Sequence, residues 1–385
     1  MKNPYKSYRM KLATLSPVFI GSGEEFNQGQ YIFDNKTMTV KVLDEEKFAF
    51  FLSKNNLIDE YSNALIQYGK NINLKRWLEE KGIPLNLPIF SKTISCKYLT
   101  TNKFGKTKTA TSLNTIKTFM KNSDGHAYIP GSSIKGAIRT AFCSYLVHKY
   151  KNQFQIEWQD LRQALLKRNN KSITNQIIKH IENKCFNLIK CNDVKAEKRD
   201  IFSTLIVGDS DSIPANELYI TTRLDCAIQK ENPTSMPMNL EVVGSNVDIH
   251  FYLSVDTSFG TYFSIEKIKE VLDFYTKQQI NNEIYAEVVR EGDIMPNLCL
   301  GGMTGYFNKN ILYSLAPTKQ EAVNVLREYF VNSFPKGAHR ENDLVIAPHT
   351  IKAVKDSGDI IPLGWCKLDV DKEINVSDIT NWIRK

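Results

Sequence analysis

The sequence contains no Cys-x-x-Cys pair. Its seven cysteines, at positions 96, 143, 185, 191, 226, 299 and 366, are odd in number, so neither a disulfide framework nor a zinc knuckle is expected. They read as reduced thiols, mostly in the core. Histidine is sparse too, and the six lie scattered without the i,i+4 pairing of a metal-binding helix, so no metal site and no cofactor are expected. No apolar run approaches the ~18 residues of a membrane helix. Phe48-Ala49-Phe50-Phe51-Leu52 is among the longest. The early cations Lys2, Lys6, Arg9 and Lys11 are not followed by an apolar segment and a cleavage site, so no secretory signal is read. A soluble, cytoplasmic protein with no membrane partner is expected.

Acidic residues are missing altogether from positions 84–123, which carry seven lysines (92, 97, 103, 106, 108, 117 and 121) among many Thr and Ser, with Phe104-Gly105 in the middle. An inserted, exposed hairpin or mobile loop fits this composition. Lysines on one face, with Tyr98 or Phe104 free to stack, suit a nucleic-acid backbone; a plain surface loop explains them equally. The wider charge is lopsided as well: residues 1–200 hold 33 Lys/Arg against 17 Asp/Glu, and residues 201–385 hold 17 against 25. That is +16 and −8, summing to the net +8. A polyanion partner follows, of a kind that charge alone does not name.

The densest stretch runs Tyr128-Ile129-Pro130-Gly131-Ser132-Ser133-Ile134-Lys135-Gly136-Ala137-Ile138-Arg139-Thr140. Pro130-Gly131 ends an extended run, Ser132 or Ser133 can cap a helix, and Ile134, Ile138, Phe142, Tyr145 and Leu146 form one apolar stripe. Free amides of the first turn, with Lys135 and Arg139 spaced i,i+4, make a phosphate-gripping arrangement. A plain capped helix with solvated cations is the competing reading. The spacing from Gly131 to Gly136 evokes a nucleotide P-loop, but Ala137-Ile138 stand where Lys and Ser or Thr are needed, so an ATPase is rejected.

Two further glycine segments flank this one. Ser16-Pro17-Val18-Phe19-Ile20-Gly21-Ser22-Gly23-Glu24-Glu25 reads as the end of a first strand from Arg9 and a turn at Gly21, Ser22 and Gly23. Leu300-Gly301-Gly302-Met303-Thr304-Gly305-Tyr306-Phe307 reads as a loop after a strand, with Lys309 close by. Between and beyond them the periodicity predicts a hairpin over 31–42, helices from Glu45 to Leu52 and over 60–81, and a helical stretch over 157–190 broken near Asn169-Asn170. Cations from Arg162 to Arg199 give that stretch a basic or simply solvated face. Strands over 218–228, 242–255 and 298–300, a helix over 265–288, another near Thr318 to Phe330, and strands near 350–354 and 365–370 complete the chain.

In this order along the chain, the three glycine segments resemble the repeat-associated RNA-binding (RAMP) superfamily of CRISPR effector complexes. Gly208-Asp209-Ser210-Asp211, Asn239-Leu240-Glu241-Val242-Val243-Gly244-Ser245, His339-Arg340-Glu341-Asn342-Asp343 and Ile361-Pro362-Leu363-Gly364-Trp365-Cys366-Lys367-Leu368 fit the same pattern. The likeness is greatest to the member that caps the type III-A (Csm) filament at the 3′ end of the CRISPR RNA (crRNA). It implies an α+β fold of two ferredoxin-like (RRM-like) units, over 1–200 and 201–385. The first carries the basic insertion (84–123) and a helical insertion (151–190), and the second a glycine-rich loop (300–309). It implies a non-catalytic crRNA-binding subunit supporting 3′-end maturation, with an adjacent backbone subunit, a small helical subunit and recruited host nucleases as partners. The expected RNA contacts are Gly21, Ser22, Gly23, Gly131, Ser132, Ser133, Lys135, Gly136, Arg139, Gly301, Gly302, Gly305, Lys309 and the hairpin lysines Lys103, Lys106 and Lys108.

Two enzymatic rivals belong to the same superfamily. A crRNA-processing endoribonuclease needs a general acid/base, for which His126 is the candidate, but no second base is placed by sequence. A target-cleaving subunit needs a carboxylate after the first strand; Phe26-Asn27-Gln28-Gly29-Gln30-Tyr31 has none, and Asp34 reads as the start of a turn. No catalytic residue is therefore assigned.

Overall fold

Met10, Leu12 and Thr14 are buried while Lys11 and Ala13 between them are not, and this period of two makes Tyr5–Thr14 the first strand, β1. The structure, a computed structural model, describes residues 4–103, 106–167, 171–189, 200–227, 234–280, 285, 294–334, 339–356 and 359–374. β2 (Gly21–Phe26) and the hairpin β3 (Tyr31–Asp34) and β4 (Thr39–Leu43) lead into α1 (Glu45–Lys54), α2 (Ile58–Tyr68) and α3 (Leu74–Glu80). β5 (Phe90–Cys96), β6 (Thr100–Lys103), β7 (Lys106–Thr109) and β8 (Ile116–Phe119) precede the long α4 (Gly131–Lys149), α5 (Gln155–Leu166) and α6 (Lys171–Phe186). Next come β9 (Leu205–Val207), β10 (Leu218–Ala227), β11 (Thr234–Val243), β12 (Asp248–Asp256), α7 (Ile265–Ile280) and β13 (Leu298–Cys299). The chain closes with α8 (Leu312–Leu315), α9 (Lys319–Ser333), α10 (His339–Asn342), β14 (Thr350–Asp356), β15 (Asp359–Pro362) and β16 (Trp365–Ile374). No helix among the described residues is long and apolar enough to cross a membrane.

The result is an α+β protein with two main sheets. Five strands form an antiparallel sheet in the order β13-β16-β1-β12-β9. The other follows the order β2-β8-β11-β10-β5-β4-β3, with β14 joined to β10 and β15 to β14, while β6 and β7 form a separate hairpin. The first sheet packs under α4 and α7, where Phe142 meets Phe263 edge-on at 5.2 Å and Tyr145 meets Phe274 at 5.3 Å. Ile134, Ile138, Ala141, Phe142 and Val147 are buried along α4. Trp158 of α5 and Phe186 of α6 belong to the same core as Met10, Leu12 and Phe251.

Several expectations change. A boundary at residue 200 does not follow the sheets, because β1 lies between β12 and β16, and β10 and β11 lie between β5 and β8. Positions 84–123 are not one exposed appendage: β5 and β8 are built into the large sheet, and Ile94, Cys96, Leu113, Ile116 and Phe119 are buried. Ile94 and Cys96 alternate with the exposed Thr93 and Ser95, a strand pattern that the lysine-rich, Thr/Ser-rich composition hid. Gly21-Ser22-Gly23 begins β2, with the register on β8 shifting between Gly21 and Glu25, where a turn was expected. The 60–81 helix divides at Gly69 (φ 52°) into α2 and α3, and the strand expected over 242–255 is two strands around a turn at 244–247. Phe104-Gly105, the Asn169-Asn170 break, the 190–199 cations and the end of the 265–288 helix lie outside the described residues.

Candidate nucleic-acid interface

The three glycine segments meet along one backbone seam. Gly302 N–H donates to Phe19 O at 2.7 Å, Met120 N–H to Ile20 O at 2.8 Å, and Tyr128 N–H to Met120 O at 3.3 Å. Ile129 N–H then donates to Ser210 Oγ at 2.9 Å, and Gly131 N–H to Asp209 Oδ1 at 2.8 Å. Two glycines are required by this closeness: a Cβ on Gly131 would lie 2.2 Å from Val207 O, and one on Gly301 (φ 96°) 2.4 Å from Phe19 O. Gly302 takes up its amide inside the seam, and Ser22 is fixed to β8 through Thr118 Oγ1 at 2.6 Å.

The start of α4 differs from the expected phosphate seat. The helix begins at Gly131 behind Pro130, and neither Ser132 nor Ser133 caps it. Asp209 supplies the acceptor for the Gly131 amide, while the Ser133 amide donates back to Pro130 O at 2.9 Å. An external anion at this turn would face that exposed carboxylate.

Lys135 is half-buried, and burial pushes its ammonium below the usual lysine range, against the pull of Asp200 and with the push of Arg139. Arg139 is not free for phosphate. Its Nη1 donates to Asp200 Oδ2 at 2.7 Å and its Nη2 to Glu182 Oε2 at 3.2 Å. Its guanidinium also lies 4.3 Å from the Phe186 ring centre and 5.2 Å from that of Phe202. The i,i+4 spacing placed both cations on one side of α4, but α6 and the Asp200 turn return across that side and take the arginine into the fold.

One position of α4 has no internal reason to be glycine. Gly136 is exposed in the second turn, and a Cβ there meets nothing within 4 Å. One turn on, Thr140 and Arg139 line a cleft of about 250 Å³ with Glu182, Tyr306 and the exposed Lys309. The cleft thus joins the α4 segment to the loop after β13. Gly305 (φ 94°) stands beside Lys352, which is paired with Asp225 at 2.6 Å. Lys103, Lys106 and Lys108 belong to the β6–β7 hairpin by their backbone; their side chains lie outside the described residues.

Partners that the sequence did not single out are Asp200, Asp209, Glu182 and the buried Glu241. Glu241 holds Lys121 and accepts Phe119 N–H at 2.9 Å. Asp209 and Glu241 stood inside segments that carried the family likeness, whereas Glu182 and Asp200 had no local signal. His126 lies on an exposed turn closed by its own N–H to Asn122 Oδ1 at 2.9 Å, and Asp34 accepts Lys36 N–H at 2.9 Å in the β3–β4 turn.

Among curated proteins, the chain is 26% identical over 280 residues to the CRISPR system Cms protein Csm5 of Streptococcus thermophilus, covering 71% of each. It is 22% identical over 388 residues to Csm5 of Mycobacterium tuberculosis (strain ATCC 25618 / H37Rv), covering 96% of this chain and 99% of that one. Among solved structures, a chain of a Csm-crRNA-target RNA ternary complex of a type III-A CRISPR-Cas system superposes with a TM-score of 0.61 at 19% identity, over 94% of this chain and 100% of that one. The crystal structure of T. onnurineus Csm5 gives 0.53 at 17%, over 93% and 99%. The family model of the RAMP superfamily matches residues 11–290, most of the sequence, and the chain belongs to that superfamily.

Proposed function

We propose that this chain is a crRNA-binding subunit of a type III-A (Csm) interference complex that caps the filament at the crRNA 3′ end and supports 3′-end maturation without cleaving RNA. The observation that carries this reading is the end-to-end correspondence of its fold with a chain of a Csm-crRNA-target RNA complex. The path β1-α4-β9-β12-α7-β16, in the spatial order β16-β1-β12-β9, supports a single ferredoxin-like (RRM-like) unit threaded through the whole chain. The large sheet and the α5–α6 pair are then additions to it.

The RNA backbone passes the open face of α4 at Gly136, with Lys135 and Lys309 beside it, and Lys103, Lys106 and Lys108 of the β6–β7 hairpin add to the positive charge that attracts it. Phosphate contacts of this kind hold a strand without reading its bases, which leaves the guide free to pair. Asp34 stays a turn residue, its carboxyl held below the usual range by the amide of Lys36 and the Thr37 hydroxyl, and His126 stays on its loop. An adjacent backbone subunit, a small helical subunit and recruited nucleases are the expected neighbours, in the cytoplasm. Sequencing the RNA that copurifies with the intact complex, with mapped 3′ ends, tests the proposal. Molecules sharing a repeat-derived 5′ tag are expected, with 3′ ends that lengthen when this chain is omitted. Copurifying RNA without a common tag overturns it.

A further inference from the structure

We propose that His339, Asp343 and His349 hold one transition-metal dication of the zinc class. The candidate donor atoms of the three residues lie within 4.8 Å of one another. His339 and Asp343 are one helical turn apart, and their Nδ1 and Oδ2 are separated by 2.9 Å. His349 turns its own Nδ1 onto Asp343 Oδ1, which also accepts the His349 N–H at 2.9 Å. Two imidazole nitrogens therefore converge on one carboxylate.

The surroundings favour a cation at that point. Asp343 is fully buried, and among the described residues its side-chain partners are the two imidazoles and a backbone amide, none of them Lys or Arg. The His339 ring stacks on Phe330 at 5.0 Å and lies 5.8 Å from Phe334, so the pocket is walled by aromatic carbon. A carboxylate buried there is costly without a countercharge, and a dication supplies it. An N₂O donor set with short bonds suits zinc, cobalt or nickel; calcium and magnesium prefer oxygen ligands. Binding exchanges each Nδ1–H for an Nδ1–metal bond. The proton moves to Nε2 in a neutral ring and is released from a charged one. The metal would clip the segment after α9 to the entrance of β14 and leave a fourth position for water. The sequence offered no sign of this cluster, because His339 and His349 are not at helical spacing and only the fold brings them together.

Tag-free protein stripped by a chelator and titrated with Co(II) is expected to show ligand-field absorption bands saturating at one equivalent and quenched by Zn(II). Its melting temperature should rise with free Zn(II). His339→Ala, at a partly exposed ring, should abolish both effects while circular dichroism shows the folded state. Asp343→Asn provides a second variant. Stripped wild-type protein that is folded yet shows neither the bands nor the shift overturns the proposal, and so does a His339→Ala/His349→Ala double variant with bands unchanged.

Discussion

Replacing Gly136 with alanine separates the two reasons a glycine can occupy the second turn of a long helix. Its backbone is helical, and a Cβ there meets no atom within 4 Å, so the methyl enters open space. An interior helical glycine costs about 1 kcal/mol relative to alanine, part of it through the freedom of the unfolded chain. With an unfolding entropy of about 2.1 cal/mol/K per residue, 385 residues convert ~1 kcal/mol into a melting-temperature rise of about 1 °C. If the missing side chain makes room for an RNA phosphate, the same methyl weakens binding; a loss of ~1 kcal/mol is about fivefold in Kd. Scanning calorimetry reads the first quantity, and fluorescence anisotropy with labelled single-stranded RNA the second. The expected result is a more stable protein that binds RNA less well, and Gly136→Gln should deepen the binding loss. A stabilised variant with unchanged affinity refutes the placing of RNA on this face.

Arg139→Ala should lower stability by roughly 2 kcal/mol, because it removes two charge-assisted bonds and two ring contacts from a site only a quarter exposed. Arg139→Lys should restore only part of this in denaturant titration. Asp209→Ala, which removes the acceptor for the first amide of α4, should cost about 1 kcal/mol by the same assay. Gly131→Ala, with its Cβ 2.2 Å from Val207 O, should instead yield little soluble folded protein on expression. Lys135→Ala combined with Lys309→Ala should reduce RNA affinity and flatten the slope of log affinity against log salt by up to about two units; an unaltered slope removes both lysines from the interface.

Residues whose local pattern matched their environment were legible in the sequence. The α4 stripe of Ile134, Ile138 and Phe142 is buried as its spacing required, and the Asp34 hairpin closes where its turn residues stand. The family was legible from glycine segments, although the physical reason for those glycines was not. Gly131 and Gly301 are there because other backbone runs against them, and nothing in PGSS or LGG names Val207 or Phe19 as the neighbour. Arg139 read as a free cation because Glu182 and Asp200 lie far along the chain, and pairing across such separations leaves no periodic trace. The β5 and β8 strands were obscured by composition, since lysines on the accessible side of a strand count the same as lysines in a loop.

The central position of β1 governs when the protein can become itself during synthesis. Tyr5–Thr14 pairs with β12 on one side and with β16 on the other, so the strand made first acquires its second neighbour only when residues 366–374 have left the ribosome. At a translation rate of about 5–20 residues per second, that interval is of order 20 to 70 seconds. Throughout it, one edge of β1 carries unpaired amides and carbonyls, a template for the wrong partner as much as for the right one. Contacts of such long range also slow the closing of the sheet. Closure of this sheet is therefore timed by β16, and a nascent chain stalled before β16 is a target for chaperones and proteases.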